Sequence, residues 1–250
     1  MALRSALFYL GYAVATIIWG ALGTLVGWML PYRRRFQFIV GCWTWFCLTW
    51  LRLTCGIRHR IHGLENVPER PCIVLCRHES TWETLFLQRL FAPQATLIKR
   101  ELLLIPFFGW AFRTLKPIAI DRRQQRQALR TLISEGGKRL DDGIWVALFP
   151  EGTRMPPGQL GRFQPGGAAL AASSGAPIVV VVHNAGRFWP AHRFRKCPGE
   201  IQVLIGEPIA TTGLSTKEIQ TAVHQAFERQ MAMLPDGPDR QTAAGMLADG

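Results

Sequence analysis

Three short stretches of this chain carry side chains able to do chemistry. In the run Arg77-His78-Glu79-Ser80-Thr81-Trp82-Glu83 an imidazole stands five residues ahead of a carboxylate, directly after the apolar run 72–76. On a regular helix five residues turn ~500°, which leaves the two side chains ~140° apart. His78 and Glu83 therefore meet only if His78 lies in a loop and Glu83 in the first turn of the helix that follows. A carboxylate placed so fixes one imidazole tautomer and leaves the other ring nitrogen as a general base. The same spacing has a purely structural use, because Ser80-x-x-Glu83 is a capping box, and both readings stand. The second stretch is Phe149-Pro150-Glu151-Gly152-Thr153-Arg154, after the apolar run 145–149. Here Gly152 lets backbone approach closely, Arg154 can grip a phosphate and Glu151 can accept from a hydroxyl; a loop ion pair between Glu151 and Arg154 is the alternative. In the third, Ile120-Asp121-Arg122, Asp121 can cap the next helix while Arg122 is solvated, or both can face a ligand.

Several chemistries are excluded. No GxSxG elbow is present and none of the six Ser sits in a recognisable hydrolase setting, so a substrate has to bring the nucleophile. Phosphate-loop and GxGxxG fingerprints are also missing. The six Cys form no CxxC pair, and the close pair His59 and His62 has no Cys or carboxylate at ligand spacing, so no metal site is expected. Cys72 and Cys76 point to one face of a strand as small buried thiols, in a reducing compartment.

Elements that position these residues are legible after residue 60. Short apolar runs at 72–76, 95–98, 117–120, 145–149, 177–182 and 201–205 show little alternation, as strands covered on both faces do. Helical periodicity fills 122–141 and 216–234, the latter behind a Ser215-x-x-Glu218 capping box. Strands alternating with helices predict a layered α/β domain, and chemistry at the C-terminal ends of its strands suits the edge where open α/β sheets bind ligands. We place this domain at 59–234, with a loose tail at 235–250.

The front of the chain is different. Residues 6–30 hold 25 positions without a charge, more than the ~20 a hydrocarbon core requires. Arg33, Arg34 and Arg35 end the run, and a Trp-rich apolar stretch follows at 36–51. The length and the lack of a cleavage site argue against a signal peptide. We read 1–58 as membrane-anchoring helices, a hairpin embedded in the cytoplasmic leaflet, with one full span plus an interfacial helix as the alternative. The net charge of +12 comes from 29 basic and 17 acidic residues, and 24 of the basic ones are Arg. An anionic partner is expected, but the charges are not interleaved with aromatic residues in any nucleic-acid module.

Taken in order, these motifs resemble the glycerolipid acyltransferase family, over about residues 60–210. Arg77-His78 with Glu83 matches its Asn-His-x4-Asp block; Lys99, Glu101, Pro106, Gly109 and Arg122 match the second. The third, Phe149 to Arg154, is present letter for letter, and Pro177 to Val182 match the fourth. The resemblance implies a mixed, mostly parallel sheet flanked by helices, preceded by a hydrophobic two-helix membrane motif. It implies transfer of an acyl group from acyl-CoA or acyl carrier protein to the sn-2 hydroxyl of 1-acyl-glycerol-3-phosphate at a bacterial cytoplasmic membrane, with no cofactor and the active site facing the cytoplasm. Another lysolipid acceptor, such as a lyso-ornithine lipid, and a non-catalytic lipid-binding protein are the alternatives. In the roles implied, His78 is the base, Glu83 orients it, Lys99, Arg122 and Arg154 hold the phosphate, Glu151 with Gly152 lines the glycerol pocket, and Thr153 belongs to the substrate-binding residues. Glu83 departs from the usual Asp by one methylene.

Overall fold

The computed structural model describes residues 1–121 and 123–234, so the candidate Arg122 and the tail expected at 235–250 lie outside the described residues. Seven strands form one sheet: β1 Ile57–His62, β2 Ile73–Cys76, β3 Gln94–Lys99, β4 Ile118–Ile120, β5 Trp145–Leu148, β6 Ile178–His183 and β7 Gly199–Ile205. Their order is β1-β7-β6-β2-β5-β3-β4. Every neighbouring pair is parallel except β6 with β7. The expected mixed, mostly parallel sheet is therefore present. So are two N-terminal apolar helices, α1 Ala2–Val26 and α3 Cys42–Cys55; the short α2 Tyr32–Phe36 and one wider turn at Gln37–Gly41 lead into α3.

Both sheet faces are covered, which is why the strands read as unbroken apolar runs. On β2 and the residue before it, Cys72, Val74 and Cys76 face one core with residues of α1, α3 and α4 (Trp82–Leu90), and Phe108 of the short α5 (Phe108–Arg113) packs against it. Ile73 and Leu75 face the other core, under α6 Gln125–Asp141, α7 Gly166–Ser174 and α8 Thr216–Met233. The hydrophobic front of the chain thus forms one of the two helical layers. Trp50 donates its indole N–H to the Leu7 carbonyl at 3.1 Å, and its ring occupies the space where a Cβ on Gly11 would lie. Arg35 closes the α1 end: its guanidinium donates to the carbonyls of Gly27 at 2.8 Å and Leu30 at 2.9 Å, groups a helix terminus leaves without partners.

One element was not expected. β1 runs across the boundary drawn at 58/59 and pairs with β7 at the sheet edge. Arg58 and Arg60 stay exposed, as suits an edge strand, while Ile57 is buried and His59 packs on Trp82 and Phe86. The four basic and imidazole side chains in IRHRIH masked the alternation.

Candidate active site

β2, β5, β3 and β4 are neighbours and parallel, so their C-terminal ends share one edge of the sheet. His78 follows β2, Phe149 to Arg154 follow β5, and Lys99 ends β3. A cleft of about 560 Å³ opens there, lined among others by His78, Lys99, Gly152, Thr153 and Arg154. Its apolar walls come from Leu85 and Leu87 of α4, from Leu97 and Ile98 of β3, and from Leu102, Phe108 and Phe112. Tyr12 of α1 and Trp43 of α3 complete it.

His78 lies in the loop before α4 and Glu83 in its first turn, as the spacing required. Nδ1 of His78 is 2.7 Å from Oε1 of Glu83, whose carboxylate is fully buried. The same Oε1 accepts from the backbone N–H groups of Ser80 at 2.9 Å and Glu79 at 3.2 Å. Glu83 therefore orients the imidazole and holds the helix entrance at once. Only half of the capping box forms, because Ser80 Oγ donates to the Trp189 carbonyl at 2.7 Å and accepts from Trp82 N–H. The imidazole stacks on Phe149 with centroids 4.1 Å apart.

The third block fixes the backbone of His78 from both sides. His78 N–H donates to Glu151 Oε2 at 2.9 Å, and Met155 N–H donates to the His78 carbonyl at 2.8 Å. The other Glu151 oxygen accepts from Gly161 N–H at 3.2 Å. Glu151 is 5% exposed, and in this arrangement both its oxygens are taken up by backbone N–H groups. Burial raises its pKa even against those two N–H bonds. Gly152 has φ 69, a conformation that only glycine takes without strain, and so turns the loop sharply past His78. Arg154 donates from Nε to the Ser80 carbonyl at 2.8 Å, tying its loop to the His78 loop as well as lining the cleft. Glu151 and Arg154 thus serve as separate anchors. Asp121 accepts from Arg123 N–H at 2.9 Å in a turn that precedes α6, so it shapes the approach to that helix. Among the described residues no group of three His, Cys, Asp or Glu side chains is arranged to hold a metal.

A family model described as Acyltransferase matches residues 58–184. The chain belongs to that acyltransferase family. The chain is 47% identical over 218 residues to a 1-acyl-sn-glycerol-3-phosphate acyltransferase of Pseudomonas aeruginosa, covering 87% of this chain and 85% of that one. A yeast protein of the same name, from Saccharomyces cerevisiae, is 32% identical over 175 residues, 68% of this chain and 57% of its own. The crystal structure of a 1-acyl-sn-glycerophosphate (LPA) acyltransferase from Thermotoga maritima shares the fold, with a TM-score of 0.78 at 24% identity over 95% of this chain and 97% of that one.

Several residues of this acyltransferase site escaped sequence reasoning. Phe149 is the platform under the imidazole, and His192 reaches the cleft from the loop before β7 with φ 60. Arg77, Glu79 and His183 form a buried polar group beneath the dyad. For His183 a signal existed, since it directly follows the apolar run 177–182 and so sits at the same kind of strand end as His78.

Proposed function

We propose that this acyltransferase moves a fatty acyl group from an acyl thioester, carried by CoA or by acyl carrier protein, to the sn-2 hydroxyl of 1-acyl-glycerol-3-phosphate, giving phosphatidic acid. The 2.7 Å contact between His78 and Glu83 at the wall of the cleft carries this reading. With Nδ1 committed to Glu83, Nε2 takes the hydroxyl proton as the oxygen attacks the thioester carbonyl. The tetrahedral intermediate collapses, the C–S bond breaks and the imidazolium returns its proton to the departing thiolate. Buried Glu83 stabilises the positive charge His78 acquires in between. Lys99 and Arg154 put cationic groups on the cleft wall for the phosphate, and the apolar walls receive an acyl chain.

A place in one leaflet of the bacterial cytoplasmic membrane, cleft toward the cytoplasm, fits the packing of α1. The helix is tied down along its length: Arg4 donates to the Thr54 carbonyl, Phe8 packs on Trp189, Gly20 abuts Phe107 and Gly23 abuts Ala111. Its opposite face, with Leu3, Leu7, Leu10, Val14, Ile18 and Leu22, is exposed at three- and four-residue spacing. A helix held lengthwise on its own domain lies in the interface rather than crossing it. Leu104, Ile105 and Trp110, beside the cleft-lining Leu102 and Phe108, extend the exposed apolar surface to the cleft mouth.

The test is transfer of labelled acyl from acyl-CoA, and separately from acyl carrier protein, to lysophosphatidic acid by the wild type, His78→Ala and Lys99→Ala. Wild-type transfer lost in His78→Ala by about 10²-fold or more, with a raised KM for lysophosphatidic acid in Lys99→Ala, is the expected result. A folded, membrane-bound wild type inactive with both donors would overturn the reading.

A further inference from the structure

Beneath the dyad lies a buried cluster with more negative than positive formal charge. Glu79, Glu83 and Glu151 are 1%, 0% and 5% exposed, and Arg77, whose guanidinium lies among them, is 1% exposed. Arg77 is paired with Glu79 at 2.8 Å and donates also to the carbonyls of Pro156 and Gln159. It therefore answers Glu79 and the loop after the third block. Burial, and then Glu83, Glu151 and Glu79 in turn, push the neighbouring Cys76 thiol well above its ordinary pKa, as an excess of negative charge requires. Buried carboxylates need compensating charge or donors.

Glu83 itself is half satisfied. Oε1 has three donors, whereas Oε2 has no hydrogen-bond partner among the described residues. The group that faces Oε2 is His183, 1% exposed at the end of β6, with Nε2 3.9 Å away. The ring of His183 is held on every side. Nε2 is 3.0 Å from the Arg77 carbonyl, Ala185 N–H donates to Nδ1 at 3.2 Å, Glu79 Oε1 lies 3.6 Å from Nδ1, and Trp82 meets the ring edge-on. Burial works against a charge on His183, but Glu79 and Glu83 outweigh it and raise its pKa. Imidazoles and carboxylates thus alternate from the cleft inward, in the order His78, Glu83, His183 and Glu79, with Arg77 paired to Glu79.

We propose that His183 is a positioning residue of this acyltransferase: its imidazole, anchored by Nε2 on the Arg77 carbonyl and facing the free oxygen of Glu83 at 3.9 Å, braces that carboxylate and keeps it turned toward His78. The inference rests on the proposed reaction and extends it. A Glu in place of the shorter Asp reaches deeper beneath the loop, where a partner on β6 meets it.

The experiment compares His183→Leu, His183→Gln, Glu83→Asp and Glu83→Asp/His183→Leu in the full-length protein, with kcat and KM measured separately. The expected result for His183→Leu is a fall in kcat of about tenfold or more, the size seen when a residue that orients a functional histidine is lost, with KM for both substrates little changed. His183→Gln, whose amide nitrogen takes the place of Nε2, restores most of that loss. In the Glu83→Asp background the effect of His183→Leu shrinks, because the two act through one contact. An unchanged kcat in His183→Leu, or an undiminished effect in the Glu83→Asp background, would overturn the proposal. The imidazole N–H resonance of His78 in protein labelled with nitrogen-15 at histidine gives a readout independent of turnover. It shifts or broadens in His183→Leu if Glu83 loses its grip and stays put if His183 has no such role. That signal tests the proposal even if the wild type fails to acylate lysophosphatidic acid, and His183→Gln carries it if His183→Leu does not fold.

Discussion

Nδ1 of His78 and Oε1 of Glu83 lie 2.7 Å apart although a continuous helix would hold them on different sides. The contact exists because α4 starts at Trp82, four residues after His78. The intervening loop folds back on Oε1 through the N–H groups of Glu79 and Ser80. The carboxylate that holds the His78 imidazole is also the one that shapes the loop bearing it. On the proposed mechanism, stability and catalysis are coupled at this one side chain, and substitutions there divide accordingly.

Glu83→Gln replaces the negative charge by a neutral amide of the same size, so loop geometry is largely retained while the imidazolium loses its counter-charge. We expect kcat to fall by about 10²-fold or more. Glu83→Asp keeps the charge, draws it back by one methylene and falls between Glu83→Gln and wild type. Steady-state acyl transfer on purified variants of equal melting temperature checks the order; Glu83→Gln more active than Glu83→Asp would contradict it.

Glu151 serves the backbone, accepting from His78 N–H and Gly161 N–H. Glu151→Ala strands two donors in a buried place and should cost about 1–3 kcal/mol per donor left unpaired. Thermal unfolding in detergent measures the loss. A variant that melts like the wild type yet has lost turnover would assign Glu151 to the substrate instead of the scaffold.

The exposed face of α1 and the segment 104–110, a loop running into a short helix, are predicted to enter lipid together. Leu10→Asp and Leu104→Asp each remove an exposed side chain, 63% and 67% exposed, that would otherwise be buried in acyl chains. Each should weaken vesicle binding by about tenfold or more, from the ~1.5–3 kcal/mol that burying a leucine is worth. Flotation with vesicles containing phosphatidylglycerol reads this directly, and melting in detergent should not change. If only Leu10→Asp lowers binding, the loop stays in water.

Lys196 joins α1 to the rest of the domain. Its ammonium lies over the rings of Phe8, Tyr9 and Trp189, with Nζ 3.5 Å from the Tyr9 centroid. Burial lowers its pKa from 10.5 to about 8. Between those values the unfolded chain holds a proton that the folded chain has shed, so this group adds to stability as pH rises from about 8 to 10.5. Below that window the cost of the buried charge is fully present. Melting of wild type and Lys196→Met at pH 7.5 and 9.5 isolates the effect: the wild type should gain relative to the variant at the higher pH, and parallel shifts would refute the assignment.

Much of this protein is local information. The apolar runs without alternation identified six strands because a strand covered on both faces has no polar side to show. The Phe149–Arg154 block and the His78–Glu83 spacing marked the chemistry because loop and helix-start geometry depends on neighbours in sequence. The charge-free run at the front marked an apolar element for the same reason. What tertiary structure decided was adjacency. Strand order brings the ends of β2, β5 and β3 to one edge, and no local pattern encodes which strands become neighbours. Packing turned Glu151 inward to the backbone, where its type alone had allowed a substrate contact. It also placed His183, 100 residues from Glu83 in the chain, behind the carboxylate that holds His78. Backbone donors and buried charges take their partners from whatever the fold brings near, and for these residues the fold brought partners from distant strands.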